Sequence, residues 1–114
     1  MKRKNCCPIA QALGVLGDKW SLIVLRDVIF GKKRHFNDLL ASPEKISTNI
    51  LANRLKTLQE ERLLCCCVDA ENRRSKIYTP TEKAQDLVPV LFELYKWGEK
   101  YNHRADTAEN PMQE

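Results

Sequence analysis

The chain has 114 residues, of which 43% are hydrophobic and 30% charged, and it carries a formal net charge of +4. That length suits one domain with its own core, and that balance excludes collagen-like and disordered compositions. The apolar run from Trp20 to Leu25 is far too short to cross a bilayer, and no long apolar stretch follows the basic start Met1-Lys2-Arg3-Lys4. The expected location is therefore the cytoplasm, with no membrane partner.

Charge is unevenly placed. The segment after Arg104 carries Asp106, Glu109 and Glu114 without a base, so residues 1–104 hold 19 bases against 12 acids. Basic clusters stand at Lys2-Arg3-Lys4, Lys32-Lys33-Arg34 and Arg73-Arg74-Ser75-Lys76. Such an excess suits a polyanion, although a charge run also serves simply as a solvated face. The five cysteines, Cys6, Cys7, Cys65, Cys66 and Cys67, include no C-x-x-C pair. An odd count without an export signal argues against a disulfide framework, so reduced thiols are expected.

In chain order, a first helix is expected over residues 8–16. Pro8 suits its first turn, Ile9, Ala12, Leu13 and Leu16 share one face, and Gly17 ends it. A second helix is expected over residues 19–29, with Asp18 as N-cap and Gly31 beyond its end. Its Trp20, Ile23, Val24, Leu25 and Val28 make it the most apolar and so the most buried helix. A short third helix over residues 35–41 is stopped by Ser42-Pro43.

The fourth helix opens on Ser47 as N-cap, with Ile46 placed to pack on Leu51 as a hydrophobic staple. Helical periodicity sets Ile50, Leu51, Leu55 and Leu58 on one stripe. Asn49, Ala52, Asn53 and Lys56 take the opposite face, with Thr48 at the exposed first turn. Arg54 falls on the flank of the apolar stripe, where an internal ion pair or packing is expected, with a phosphate still within reach. Two strands follow, over residues 63–68 and 75–79, joined by the polar turn Asp69 to Arg74. A fifth helix starts at Thr81 as N-cap and carries Leu87, Val88, Leu91, Leu94, Tyr95 and Trp97. That is more apolar surface than a small domain buries alone. Pro89 should kink or divide this helix. Residues 1–101 are expected to form the domain and residues 102–114 a polar, frayed tail.

Four helices, a hairpin and a helix, with the tight loop Ser42 to Ile46 between the third and fourth helices, make a mainly α winged helix-turn-helix. The acid-free outer face of the fourth helix offers types that read base edges. Asn can pair bidentately with adenine, Lys can contact guanine, and Thr can meet a methyl or a phosphate. Thr48, Asn49, Asn53 and Lys56 are therefore the candidate DNA-reading residues. Arg73, Arg74 and Lys76 on the hairpin suit backbone or minor-groove contacts, and Arg34, His35 and Asn37 a phosphate at the start of the third helix. Cys7 follows Lys2-Arg3-Lys4 and opens a helix, the setting expected of a reactive thiol. The plain alternative is a small residue packed between subunits. Cys65, Cys66 and Cys67 read as strand residues without metal-ligand spacing. No Gly-rich phosphate loop, nucleophile elbow or Cys/His pair is present, so neither catalysis nor a metal or cofactor is expected.

Several ordered motifs together resemble the HxlR family of bacterial winged-helix regulators. They run from Cys7-Pro8-Ile9 through Gly17-Asp18-Lys19-Trp20, Leu25-Arg26-Asp27 with Phe30-Gly31, and Arg34-His35-Phe36-Asn37-Asp38-Leu39. They continue through Ile46-Ser47, Leu51-Ala52-Asn53-Arg54-Leu55 and Tyr78-Thr79-Pro80-Thr81 to Pro89-Val90-Leu91 and Trp97-Gly98. Ala84 departs from the Gly common there, and Glu71-Asn72-Arg73-Arg74 lacks the prolines often seen in the wing.

The resemblance implies a homodimer formed through the first and last helices, by Ile9, Leu13, Leu91, Leu94, Tyr95 and Trp97. It also implies binding to an inverted-repeat operator in double-stranded DNA, often as a repressor, and, as in some members of the family, a Cys7 placed to sense oxidants or electrophiles. Two other readings stay open: a winged helix used for protein contact with little DNA affinity, and a regulator controlled by a metal or small ligand.

Overall fold

The computed structural model describes residues 7–102. Lys2, Arg3, Lys4, Cys6, His103 and the remaining tail lie outside the described residues. The order is α1 (Pro8–Leu16), α2 (Ser21–Ile29), α3 (Phe36–Leu40), α4 (Thr48–Glu60), β1 (Leu64–Val68), β2 (Lys76–Pro80), α5 (Glu82–Gln85) and α6 (Val88–Tyr101).

The core lies where α2, α3 and α4 meet the hairpin. Val24, Leu25 and Val28 of α2 pack with Leu39 of α3 and with Leu51, Leu55 and Leu58 of α4. Ile46, Leu63, Leu64, Tyr78 and Ala84 complete the cluster. Ile46 and Leu51 are both buried, as a staple requires, and the Ser47 side chain accepts from the Ile50 N–H at 3.2 Å. At the other end of α4, Arg62 takes a left-handed φ of 62°. The N–H of Leu63 then reaches the Leu58 carbonyl at 2.8 Å, which closes the last turn and covers Leu58 with Leu63. This closure delays the first strand to Leu64, one residue later than its composition predicts.

The structure also refines other details of this reading. α2 begins at Ser21 instead of residue 19, yet Asp18 still performs the capping: its Oδ2 accepts from the Trp20 N–H at 2.8 Å and the Ser21 N–H at 2.9 Å. Pro89 divides the last helical stretch, so that Thr81 caps α5 through the Ala84 N–H and α6 starts afresh at Val88. Ile50, assigned to the apolar stripe, is 39% exposed, because the stripe closes on Leu51, Leu55 and Leu58 alone.

β1 and β2 pair antiparallel, Leu64 opposite Pro80 and Val68 opposite Lys76. The Tyr78 N–H donates to the Arg34 carbonyl at 2.8 Å, which ties the segment between α2 and α3 to the hairpin. Side chains alternate along β1: Cys65 and Cys67 are exposed, while Cys66 packs against the core. The hairpin turn lacks prolines but has two internal braces. Asp69 Oδ1 accepts from the Glu71 N–H at 2.9 Å, and Asn72 Oδ1 accepts from the Arg74 N–H at 3.2 Å.

Candidate nucleic-acid interface

α4 stands on the core by its apolar stripe, which leaves Thr48, Asn49, Ala52, Asn53 and Lys56 exposed on the opposite side. No Asp or Glu occurs between Thr48 and Gln59. The face therefore offers a phosphate-bearing surface no repulsive carboxylate of its own.

The turn that presents α4 is held by an ion cluster. Arg26 donates from Nη1 and Nη2 to the two oxygens of Glu44, each at 2.8 Å, and from Nε to Asp27 Oδ1 at 3.0 Å. Ser42 Oγ donates to Glu44 at 2.7 Å. The Arg26 hydrogen bond is the main cause that holds the Glu44 carboxyl down at about 2, against the effect of its partial burial. Asp27 is different: it is 2% exposed, and burial pushes it above the ordinary carboxylate range despite Arg26 beside it. Glu44 sits between α3 and α4, so this cluster fixes α2 against the helix-turn-helix turn.

Arg54 makes the internal contacts its flank position predicts. Its Nη1 lies 3.1 Å from Asp18 Oδ1 and 3.3 Å from Ser21 Oγ. Burial alone would raise Asp18, but the hydrogen bonds from Ser21 and Trp20 and the charge of Arg54 outweigh it and lower the carboxyl. Asp18 thus joins the start of α2 to α4.

The residues expected at the start of α3 separate. The Arg34 guanidinium donates to the Val28 carbonyl and turns inward, away from the surface role its position suggested. His35 Nε2 lies 3.2 Å from Asp69 of the hairpin turn, and its Nδ1 3.6 Å from Asp38. The Asp69 carboxyl is lowered chiefly by the Glu71 N–H and then by His35. His35 and Asn37 line a cleft of about 320 Å³ together with Phe36, Arg74, Ser75, Lys76 and Tyr78. The structure thus brings His35, Asn37, Arg74 and Lys76 together beside α3, with Arg73 exposed at the turn. Asp18, Ser21, Glu44 and Asp69 were not singled out as site residues. Each lies within four residues of a turn or cap signal, and the partner across the fold is what the sequence does not state.

The remaining candidates sit on α1 and α6. Cys7 is exposed at the N-cap position of α1, where its carbonyl accepts from the Gln11 N–H at 3.0 Å. α1 has no buried residue. Ile9, Leu13, Leu94 and Trp97 are exposed, with Tyr95 half-buried. Leu91 differs from the rest of this set: at 5% exposed it is buried within its own protomer. A groove of about 980 Å³ along α6 is lined by Pro89, Val90, Leu94 and Trp97, with Glu93, Lys96 and Lys100 at its edge. Among the described residues no group of three or more His, Cys, Asp or Glu is placed to hold a metal ion, and no helix is long and apolar enough to cross a membrane.

A family model described as HxlR-like helix-turn-helix matches residues 15–106. The HTH-type transcriptional regulator YdeP of Bacillus subtilis is 34% identical over 103 residues, covering 90% of this chain and 80% of YdeP. The HTH-type transcriptional regulator YodB of Bacillus subtilis is 30% identical over 107 residues, covering 94% of this chain and 95% of YodB. Among solved structures, PA1607, a candidate transcription factor, superposes with a TM-score of 0.80 at 34% identity, over 93% of this chain and 72% of that one. The reduced form of YodB gives 0.67 at 27% identity, over 90% of this chain and all (100%) of that one. Helix-turn-helix, hairpin wing and ordered motifs agree with these matches: the chain belongs to the HxlR-like helix-turn-helix family of DNA-binding transcriptional regulators, which are not enzymes.

Proposed function

We propose that the protein acts as a homodimeric repressor on an inverted-repeat operator, with its input at the Cys7 thiol. The observation that carries this reading is the outer face of α4, exposed and free of acids between a braced turn and a basic hairpin. In the proposed complex α4 lies in the major groove and presents Thr48, Asn49, Asn53 and Lys56 to the bases. Arg73, Arg74 and Lys76, with His35 and Asn37 in the adjoining cleft, meet the backbone. Arg34 contributes from inside, by fixing the end of α2.

The hairpin then works through charge. Changing Arg73 and Arg74 to Ala should weaken binding to every duplex and lower the slope of log K against log[salt] by about one unit per lost phosphate contact. Fluorescence anisotropy over a salt series reads this directly. An unchanged slope removes the hairpin from the interface, and salt-independent binding of the wild type favours a protein-contact module.

For the input, the support lies in the site and in related proteins. Cys7 is exposed at a helix start, and structures are described for YodB in reduced, quinone-bound and diamide-treated forms and for HypR in reduced and oxidised forms. Thiolate is the attacking species. Its sulfur adds to a quinone ring carbon, the carbon–sulfur bond forms, and the ring is reduced to a hydroquinone whose oxygens take the protons. An adduct at the N-terminus of α1 would alter how two protomers meet, and operator half-sites about 34–36 Å apart tolerate little rotation. Quinone should release wild-type protein from its operator and leave Cys7→Ser bound, with Cys65→Ser behaving as wild type. Equal release of Cys7→Ser places the switch elsewhere.

A further inference from the structure

The hairpin carries three consecutive cysteines, and the sheet sorts them, because neighbouring side chains on a strand point to opposite faces. Cys66, opposite Tyr78 in the register, packs against the core and hydrogen-bonds with that side chain. Cys65 and Cys67 share the other face, and both are exposed. Their partners across the sheet are Thr79 and Ile77, so no charged side chain of β1 or β2 shares that face with them.

Two steps along a strand separate same-face residues by about 6.6 Å. A disulfide wants its β-carbons about 3.8 Å apart, so this pair does not suit a direct S–S bond while β1 stays in the sheet. One bridging atom widens the reach, since two bonds of about 2.3 Å, the length of a zinc–thiolate bond, then stand in place of one S–S bond. That atom must be content with two sulfurs. Cys66 faces the other way, and among the described residues no group of three or more His, Cys, Asp or Glu is placed to hold an ion. Zinc, which takes three or four protein ligands, is therefore poorly served. An arsenic(III) centre that already carries one carbon substituent needs only two more bonds, and it is soft enough to take both from sulfur.

We propose that Cys65 and Cys67 form a two-thiol site for monosubstituted trivalent arsenicals on the solvent face of the hairpin. The site is separate from Cys7, and it does not depend on how the chain meets DNA. Each thiol sulfur attacks arsenic, so that an As–S bond forms and an As–O bond breaks. The thiol proton leaves with the departing hydroxyl as water. Two such exchanges release two waters and close a ring, and arsenic stays trivalent throughout.

The probe is phenylarsine oxide, a dihydroxide in water, and the protein is the full chain with Cys6→Ser and Cys7→Ser. That background leaves the hairpin as the sole source of thiols. It should take up one probe and lose two titratable thiols, read by intact mass and a thiol-reactive dye. The dithiol dimercaptopropanol should strip the probe, and the monothiol glutathione at equal thiol concentration should not. In the same background Cys65→Ser and Cys67→Ser should each weaken binding about a hundredfold, the scale for losing an intramolecular second bond. Cys66→Ala should bind as its parent does, with folding of every variant checked by circular dichroism. Inorganic arsenite, which seeks a third sulfur, should bind more weakly than the probe. The proposal is overturned by loss of one thiol per probe, by binding that survives Cys65→Ser or Cys67→Ser, or by arsenite binding the more tightly. Loss of binding in a folded Cys66→Ala chain overturns it as well, and if that variant does not fold, the two serine variants decide alone.

Discussion

Replacing Leu94 and Trp97 by glutamate should turn the proposed dimer into a monomer that holds its operator about a hundredfold to ten-thousandfold more weakly. Both side chains are exposed, Trp97 at 66%, and with Pro89 and Val90 they line the groove along α6. Ile9, 70% exposed, and Leu13 add a second apolar face on α1. Apolar surface this concentrated suits the proposed contact face, since singly scattered exposed residues are ordinary and contiguous ones are not. In a dimer the second half-site binds at an effective concentration near the millimolar range, and losing that link accounts for the predicted loss. Protomer stability should hardly change, since neither side chain is in the core. Leu91→Glu is the contrast: it is buried in the protomer, so it should unfold the chain. Sedimentation and operator titration together decide the point. A Leu94→Glu, Trp97→Glu variant that stays dimeric places the subunit contact outside α6.

What the sequence declares, and what it leaves silent, divides along the range of the interaction. Ser47, Thr81 and Asp18 cap helices through N–H groups two or three residues away, so residue type and position were enough. The flank position of Arg54 likewise forecast an internal partner. It could not say that the partner is Asp18, because 36 residues of folded chain bring the two together. Arg34 misled for the same reason. It stands in a basic cluster that reads as surface, and only the packing of α2 brings the Val28 carbonyl to its guanidinium. Ile50 failed differently: periodicity places a side chain on a face but does not say how much of that face its neighbours cover. The left-handed turn at Arg62 carries neither Gly nor Asn, the usual signals, so the strand start it helps to set is one residue later than composition predicts.

Arg26→Ala should cost about 3 kcal/mol of stability, the scale for stripping one partner from a buried ion pair. Asp27, 2% exposed, would keep only Lys33, whose Nζ lies 3.9 Å away, and Glu44 would lose both of its bonds from Arg26. The pH dependence should change as well, and its sign follows from the two carboxyls. Glu44 has a folded value of about 2, below its ordinary one. Its contribution is therefore present above its unfolded value and lost as pH falls toward the folded one. Asp27 is raised, so its contribution is present below its unfolded value and lost as pH rises through the folded one. Wild type should accordingly lose stability in acid as Glu44 protonates. The variant should lose that dependence and become less stable toward alkaline pH, because an unpartnered Asp27 resists ionisation in the core. Adding Asp27→Asn to Arg26→Ala should recover part of the loss and flatten the alkaline side, since the uncompensated charge is gone. Urea denaturation at several pH values separates these outcomes. A loss under about 1 kcal/mol with an unchanged pH profile would mean that Arg26 does not offset the burial of Asp27. Because Glu44 lies in the turn before α4, the same variant should also bind operator more weakly while still folded, through a loosened turn and not through any contact with DNA.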